Sequence, residues 1–405
     1  MKALTYIYLL QLILFGVVFL SLLVLLFFNR KLGKKRLMAW GMFVIGLLIV
    51  AVVFKMKAKP LEIEPTYLDQ PVSYNTSLVA EAIKRDFYIG AAVENDSLFH
   101  HVAREHFNSI TPENATKWGW LVQKNQVNEY DFTSADSIVD HAIEYGLRVR
   151  GHVLVWGRAI DFFHMPDLNY ILEDLSEEEK RDTLEYLVQN HIKTTLNHFR
   201  GRIKTWDCVN EPLEVFNGKM DNNVLYKYLG KEYIANSFRW AHEIDPTVTL
   251  FLNEQFNTYD SEKAMSFLEL CRELVEDNVP VHGVAIQAHA MFTIPELEAF
   301  RKFLEELQAL GLKIEIAELD ARLRLFAQEE DPYQAQGDFF RKFTKICLDI
   351  PAVEGITVWG IIDYPGFYDG LGVFSWHGPN NPLLFDTQLN PKPSYFGILE
   401  ALMER

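Results

Sequence analysis

Residues 249–289 read TLFLNEQFNTYDSEKAMSFLELCRELVEDNVPVHGVAIQAH, and the succession of patterns in this stretch decides the fold class. TLFLNE is a short β-rich run that ends in a carboxamide and a carboxylate, Asn253 and Glu254. Asp260 and Ser261 can then cap a helix along which Ala264, Phe267, Leu268, Cys271 and Leu274 recur at helical spacing. HGVAIQAH, from His282, is a second β-rich run, and it again ends in polar groups, Gln287 and His289. Strand, helix, strand is the repeating unit of a parallel α/β fold.

The alternation continues in both directions. Upstream lie FYIGAAV from Phe87, FNSIT from Phe107, RVRGHVLVW from Arg148 and IKTWDCV from Ile203; downstream lie KIEIAELD from Lys313 and GITVWGIID from Gly355. Among the helical stretches between them, SEEEKRDTLEYLVQNHIKTTL from Ser176 opens with Ser and acidic residues, which suit a helix N-terminus. Eight strand–helix units across residues 77–405 predict a (β/α)8 TIM barrel. A doubly wound open sheet usually has fewer strands, and the early glycines do not form its G-x-G-x-x-G turn. No repeat recurs at a solenoid period.

The preceding residues are unlike the body. The chain has 405 residues and a net charge of −16, but residues 1–59 hold nine basic residues and no acidic one, so the other 346 carry −25. A body of that charge repels phosphate, which argues against a nucleic-acid partner. The 49% apolar content excludes a disordered chain, and three cysteines cannot form a disulfide framework. Residues 3–28 and 37–54 are uncharged runs, and 18 helical residues span about 27 Å, near the thickness of a bilayer core. The first run is too long for a signal peptide, and a second follows it. Residues 1–59 are therefore expected to form a hairpin of two transmembrane helices that meets the lipid bilayer through residues 3–54. Arg30, Lys31, Lys34, Lys35 and Arg36 between the helices predict a cytoplasmic loop, with the large domain extracytoplasmic, periplasmic or at the cell surface. Lys55, Lys57 and Lys59 on the other flank oppose that orientation. Residues 60–76, with Pro60, Pro65 and Pro71, read as an extended linker.

In a TIM barrel the chemistry sits at the C-terminal strand ends. Those ends carry Glu113 and Asn114, His152 and Trp156, Asn210 and Glu211, Asn253 and Glu254, Gln287 and His289, Glu318 and Asp320, and Trp359 and Asp363. Glu211 and Glu318 stand on the fourth and seventh runs, across the mouth from each other. Two carboxylates facing each other across a sugar are what retaining glycoside hydrolysis requires. Alternation places Glu318 and Asp320 on one inward face with Ile314 and Ile316. It places Asn210 and Glu211 on opposite faces, so one of them must lie beyond regular strand geometry.

FNSITPENATKW, FTSADSIVDHAIEYGLRVRGHVLVW, WDCVNEP, AIQAH, AELD, VWGIID and PLLFDTQLNPKPSYFGI, in this order, resemble glycoside hydrolase family 10, the endo-β-1,4-xylanases. The resemblance covers residues 77–405 and implies a retaining (β/α)8 enzyme acting on xylan or xylo-oligosaccharides. It makes Glu211 the acid/base and Glu318 the nucleophile, with His289 orienting Glu318 and Asp320 holding the imidazole. It makes Glu113, Asn114, Lys117, His152 and Trp156 sugar ligands on the non-reducing side of the scissile bond. Asn210 and Gln287 are expected on the hydroxyl beside the reacting carbon, with Trp359 and Trp376 as stacking platforms. No cofactor, metal or oligomeric state is implied.

Three departures touch the cleft that selects the outer sugars. GRAIDFF follows GHVLVW, so Ala159 replaces the family's glutamine; NEQFN displaces a tyrosine; and YPGFYDGLGVFSWHG lengthens the path to Trp376. They leave room for another β-glycan as substrate, and a non-catalytic membrane carbohydrate-binding protein is the rival of another class. Plainer readings apply elsewhere. Trp206 and Cys208 suit barrel packing, Asn253–Glu254 a supporting role, Asp363 equally a bridge to a neighbouring Lys or Arg or a substrate contact, and His100, His101 and His106 a solvated helix face.

Overall fold

The computed structural model describes residues 63–68, 74–94, 97–123, 126–163, 167–363 and 380–404. Eight parallel strands close one barrel: β1 Tyr88–Val93, β2 Ser109–Pro112, β3 Arg148–Gly151, β4 Thr205–Asn210, β5 Thr249–Glu254, β6 Gly283–Ile286, β7 Lys313–Ala321 and β8 Val353–Val358. Each strand pairs with the next, and β8 returns to β1 with Gly355 opposite Tyr88 and Val358 opposite Ala91. Every expected run contributes a strand. The strands are buried almost end to end, as a sheet covered on both faces requires: all six residues of β4 and all but Lys313 in β7. The helices close as their caps foretold. Ser176 forms a complete capping box with Glu179, and the Ser261 side chain accepts from the Ala264 amide.

Two expectations about the strands need correction. The RVRGHVLVW run stops as a strand at Gly151, and Leu154 and Val155 then rejoin β4 by donating to the carbonyls of Asp207 and Cys208, both at 3.0 Å. Gly151 lies where a Cβ would stand 2.3 Å from the Trp206 ring, so only glycine lets that buried indole pack against β3. In β7, Glu315 rather than Ile314 or Ile316 faces the barrel interior, where it meets Arg148 and Arg150. Glu318 nevertheless opens to the same side, because the β7–β8 register shifts between Ile316 and Leu319. A strict two-residue alternation cannot foresee that shift. The structure also adds a short antiparallel hairpin, Val122–Gln123 with Gln126–Tyr130, and a two-residue ladder pairing His289–Ala290 with Asp320–Ala321.

The interior of the barrel is charged along one side. Arg150, fully buried, donates to both oxygens of Asp207 and through Nε to Glu315 at 3.1 Å; Arg148 adds a second contact to Glu315 at 2.5 Å. Phe251, Ala285 and Ala317 form a small apolar cluster apart from the main core.

The expected membrane helices, 3–28 and 37–54, lie outside the described residues, and no described helix is long and apolar enough to cross a membrane. The expected linker is partly docked rather than extended. Thr66–Leu68 makes a 3-10 turn, with the Thr66 hydroxyl donating to Asp331 at 2.8 Å and the Tyr67 hydroxyl to Asp386 at 3.0 Å. The Tyr67 ring packs edge-on against Tyr333, which supplies the apolar contact a free spacer lacks.

Candidate active site

The mouth of the barrel is assembled by strand ends and the first residues beyond them. Glu211 follows β4 directly and takes a left-handed φ of 50° while its amide donates to the Asn253 carbonyl at 2.9 Å. That turn removes the conflict posed by alternation, because Asn210 and Glu211 now face the same space. Gln287 Nε2 donates to Asn210 Oδ1 at 3.2 Å and to Glu211 Oε1 at 3.0 Å, tying the three together.

Glu318 is held from two sides. Asn253 Nδ2 donates to Oε1 at 2.9 Å, and His289 Nε2 stands 3.1 Å from Oε2. Behind the imidazole, Asp320 Oδ2 lies 2.9 Å from His289 Nδ1 and is itself almost fully buried. Burial opposes the charge of each group, but the partners win. His289 is pushed up to about 10 because Asp320 and Glu318 outweigh its burial. The Glu318 carboxyl is held below the usual range, since the His289 hydrogen bond, the nearby imidazoles and Asn253 outweigh its desolvation. The result is an imidazolium clamped between two carboxylates, so that Glu318 stays ionised and stationary.

A second chain of contacts runs below this pair. Asp207 accepts from Arg150 and from Asn253 Nδ2 at 3.1 Å, and lies 2.8 Å from His152 Nδ1. Burial works against the Asp207 charge, and Arg150 with His152 more than offsets it, leaving its pKa low. Asn253 is therefore shared between Asp207 and Glu318, which gives its expected supporting role a definite content.

Lys117 is buried at the barrel mouth despite its charge. Its ammonium donates to Asn114 Oδ1 at 2.8 Å and lies 5.1 Å from the Trp156 ring centroid and 5.9 Å from that of Trp359. Burial lowers its pKa although Glu318, Glu113 and Glu211 pull the other way, which places both candidate catalytic carboxylates within its field. Glu113 is half-buried, and desolvation with the Glu94 charge raises its pKa. Trp359 stands edge-on to His152 at 5.3 Å and to His289 at 6.3 Å, joining the two clusters.

The structure thus brings together Glu113, Asn114, Lys117, His152, Trp156, Asn210, Glu211, Gln287, His289, Glu318, Asp320 and Trp359. Trp376 lies outside the described residues. One role shifts: Trp156, expected only as a sugar ligand, also donates its indole N–H to Glu211 Oε2 at 3.2 Å. Asp363 is drawn away from the mouth, accepting from Lys392 at 2.5 Å and from the Leu383 amide at 2.9 Å. Trp206 and Cys208 are fully buried, and burial pushes the Cys208 thiol up. His106 departs from the solvated face expected of its helix, with Nδ1 3.2 Å from the Tyr395 hydroxyl. No group of His, Cys, Asp or Glu among the described residues is arranged to hold a metal ion.

Two groups were missed. Asp207 sits on the inward face of β4 two residues from Thr205, and its alternation was a usable signal. Arg158 had none: it stands where the chain leaves the family pattern, and its Nη1 donates to Glu211 Oε2 at 2.7 Å.

The sequence and the fold have counterparts in known proteins. A sequence profile described as "Glycosyl hydrolase family 10" matches residues 78–401. The endo-1,4-beta-xylanase B of Thermotoga neapolitana is 32% identical over 345 residues, spanning 82% of this chain and 93% of that one. The beta-1,4-xylanase of Dictyoglomus thermophilum is 32% identical over 335 residues, spanning 79% of this chain and 90% of the other. Xylanase 10B from Thermotoga petrophila RKU-1, solved in complex with xylobiose, superposes with a TM-score of 0.71 at 35% identity, covering 82% of this chain and 98% of that one. Native xylanase 10B from Thermotoga maritima gives 0.70 at 36% identity, covering 81% and 98%.

Proposed function

The chain belongs to glycosyl hydrolase family 10, and from that premise we propose that it is a retaining endo-β-1,4-xylanase that cleaves xylan or xylo-oligosaccharides by double displacement. The observation that carries the reading is a pair of carboxylates fixed at one mouth by separate sets of partners. Glu318 is clamped and kept ionised by Asn253 and the His289–Asp320 pair, while Glu211 is held by Gln287, Trp156 and Arg158. Glu318 attacks the anomeric carbon as Glu211 gives its proton to the departing glycosidic oxygen, forming a glycosyl ester on Glu318. Glu211 then takes a proton from water, the water oxygen bonds the anomeric carbon, and Glu318 leaves as carboxylate. Two inversions give net retention. Asn210 and Gln287 bind the hydroxyl beside the reacting carbon. Glu113, Asn114, Lys117, His152, Trp156 and Trp359 bind the non-reducing side, and the family resemblance alone assigns Trp376 to the stacking platform.

An aryl β-xylobioside tests this. Proton NMR of the first product should show the β-anomer, and Glu318→Ala should lose on the order of 10⁴-fold or more in kcat. An α-anomeric first product, or an active Glu318→Ala protein, overturns the mechanism. The loss of the family's glutamine at Ala159 favours one alternative, a retaining hydrolase of another β-glycan. Product release from xylan, mixed-linkage glucan and cellulose separates the two.

We also propose that the enzyme is membrane-anchored through residues 3–28 and 37–54, with the barrel extracytoplasmic. The two uncharged runs and the five basic residues between them support this. Full-length protein should stay in the pellet after alkaline carbonate washing, and protease added outside intact cells should digest the barrel. Release by carbonate, or protection of the barrel in intact cells, sinks the proposal.

A further inference from the structure

Glu211 is held by more than the family resemblance implies. Besides Trp156 and Gln287, a guanidinium reaches it: Arg158 Nη1 donates to Oε2 at 2.7 Å. The same Arg158 donates through Nε and Nη2 to Asp221 Oδ1 at 3.3 and 3.2 Å, and through Nη2 to the Leu213 carbonyl at 2.7 Å. One side chain thus grips both the candidate acid/base and the loop that follows it. The chain around it is shaped for that grip. A Cβ on Gly157 would stand 2.4 Å from the Asn223 side chain, so glycine there lets residues 221–223 close over Arg158. Asp161 adds a further tie by accepting from the Val224 amide at 3.1 Å.

We propose that Arg158 is a positioning residue for proton transfer by Glu211, fixing its Oε2 by a charge-assisted hydrogen bond from a guanidinium that Asp221 and the Leu213 carbonyl hold in place. The geometry supports a specific task. A single-bonded carboxyl group rotates about its terminal torsion broadly, and a proton must be delivered along one line to the departing oxygen. Arg158 and Trp156 occupy Oε2, while Oε1 accepts from Gln287 and keeps a lone pair on which the proton can be carried. Arg158 is a partly buried cation facing one carboxylate at the reacting centre and a second behind it. Burial works against its charge, and Glu211 and Asp221 outweigh that, so it stays protonated.

The inference rests on Glu211 being the acid/base, and the experiment separates the two. Values of kcat/KM are measured for aryl β-xylobiosides with a 2,4-dinitrophenyl and an unsubstituted phenyl leaving group. The first needs little protonation and the second needs it fully. Arg158→Met should lose roughly tenfold or more on the phenyl substrate, within the range of general acid catalysis, and no more than about threefold on the dinitrophenyl one. Arg158→Lys, which keeps the charge but not the fork, should recover part of the loss. Asp221→Asn, which loosens the grip from behind, should show the same selective pattern at smaller size. Equal losses on both substrates, or none on either, in protein with an unaltered melting profile overturn the proposal. Glu211→Ala is the reference: if it shows no leaving-group selectivity, the acid/base assignment fails instead.

Discussion

Asn253 illustrates how much one amide can settle at this site. Its Nδ2 is shared between Glu318 Oε1 and Asp207 Oδ2, so it ties the proposed nucleophile to the charged column beneath it. A hydrogen bond to a charged group is worth about 1.5–3 kcal/mol, which corresponds to roughly 10- to 160-fold in rate if it acts at the transition state. Asn253→Ala should therefore lower kcat by that factor and leave KM nearly unchanged. A change confined to KM would show that Asn253 serves binding instead. The residue identities at the mouth were legible in the sequence because each motif is local: the ENATK, NEP, QAH and ELD segments carry their own chemistry. Which oxygen each amide meets was not, since Asn253 and Glu318 are 65 residues apart.

Between elements, the exit of β8 and the start of the helix Pro393–Met403 are joined by one ion pair. Lys392, fully buried at the helix N-cap, donates to Asp363 at 2.5 Å and to the Asn381 carbonyl at 2.9 Å. Burial pushes both groups toward neutrality, Asp363 up and Lys392 down, and each partner's charge resists it. Removing one member strands the other. Lys392→Met should cost about 3–5 kcal/mol in denaturant unfolding, and Lys392→Met with Asp363→Leu should restore much of it. If the double variant is no better than the single, the cost lies in packing and not in charge. The sequence placed Asp363 at a strand end and left its partner open between substrate and a basic residue. The register of the C-terminal segment chose Lys392.

Across the whole barrel, opposite shifts bracket the pH range of stability. Asp207, Glu315 and Glu318 have pKa values held low against their burial, by Arg150 with His152, by Arg148 with Arg150, and by His289 with its neighbours, respectively. Groups shifted down contribute stability that is present above their unfolded values, about 4, and is lost as pH falls through the folded ones. His289 is shifted up, so its contribution is complete below about 6.5 and is lost as pH rises through about 10. Melting temperatures should therefore peak between roughly pH 5 and 6.5 and fall on both flanks. His289→Asn should flatten the alkaline flank and also weaken the part of the acid flank that Glu318 supplies, leaving the Asp207 and Glu315 parts. An unchanged alkaline slope would mean that another group governs it.

The strand–helix alternation, the capped helices and the pair Glu211 and Glu318 follow from the chain alone. Periodicity, capping and short motifs are set by neighbours within a few residues. Closure of the barrel decided the rest. The shift in β7 that turns Glu318 inward depends on pairing with β8. The contacts of Arg150 with Glu315 and of Arg158 with Glu211 join residues 165 and 53 positions apart. A charged side chain in a sequence shows what it can bind; its partner is selected only when folding brings distant segments together and removes water from between them.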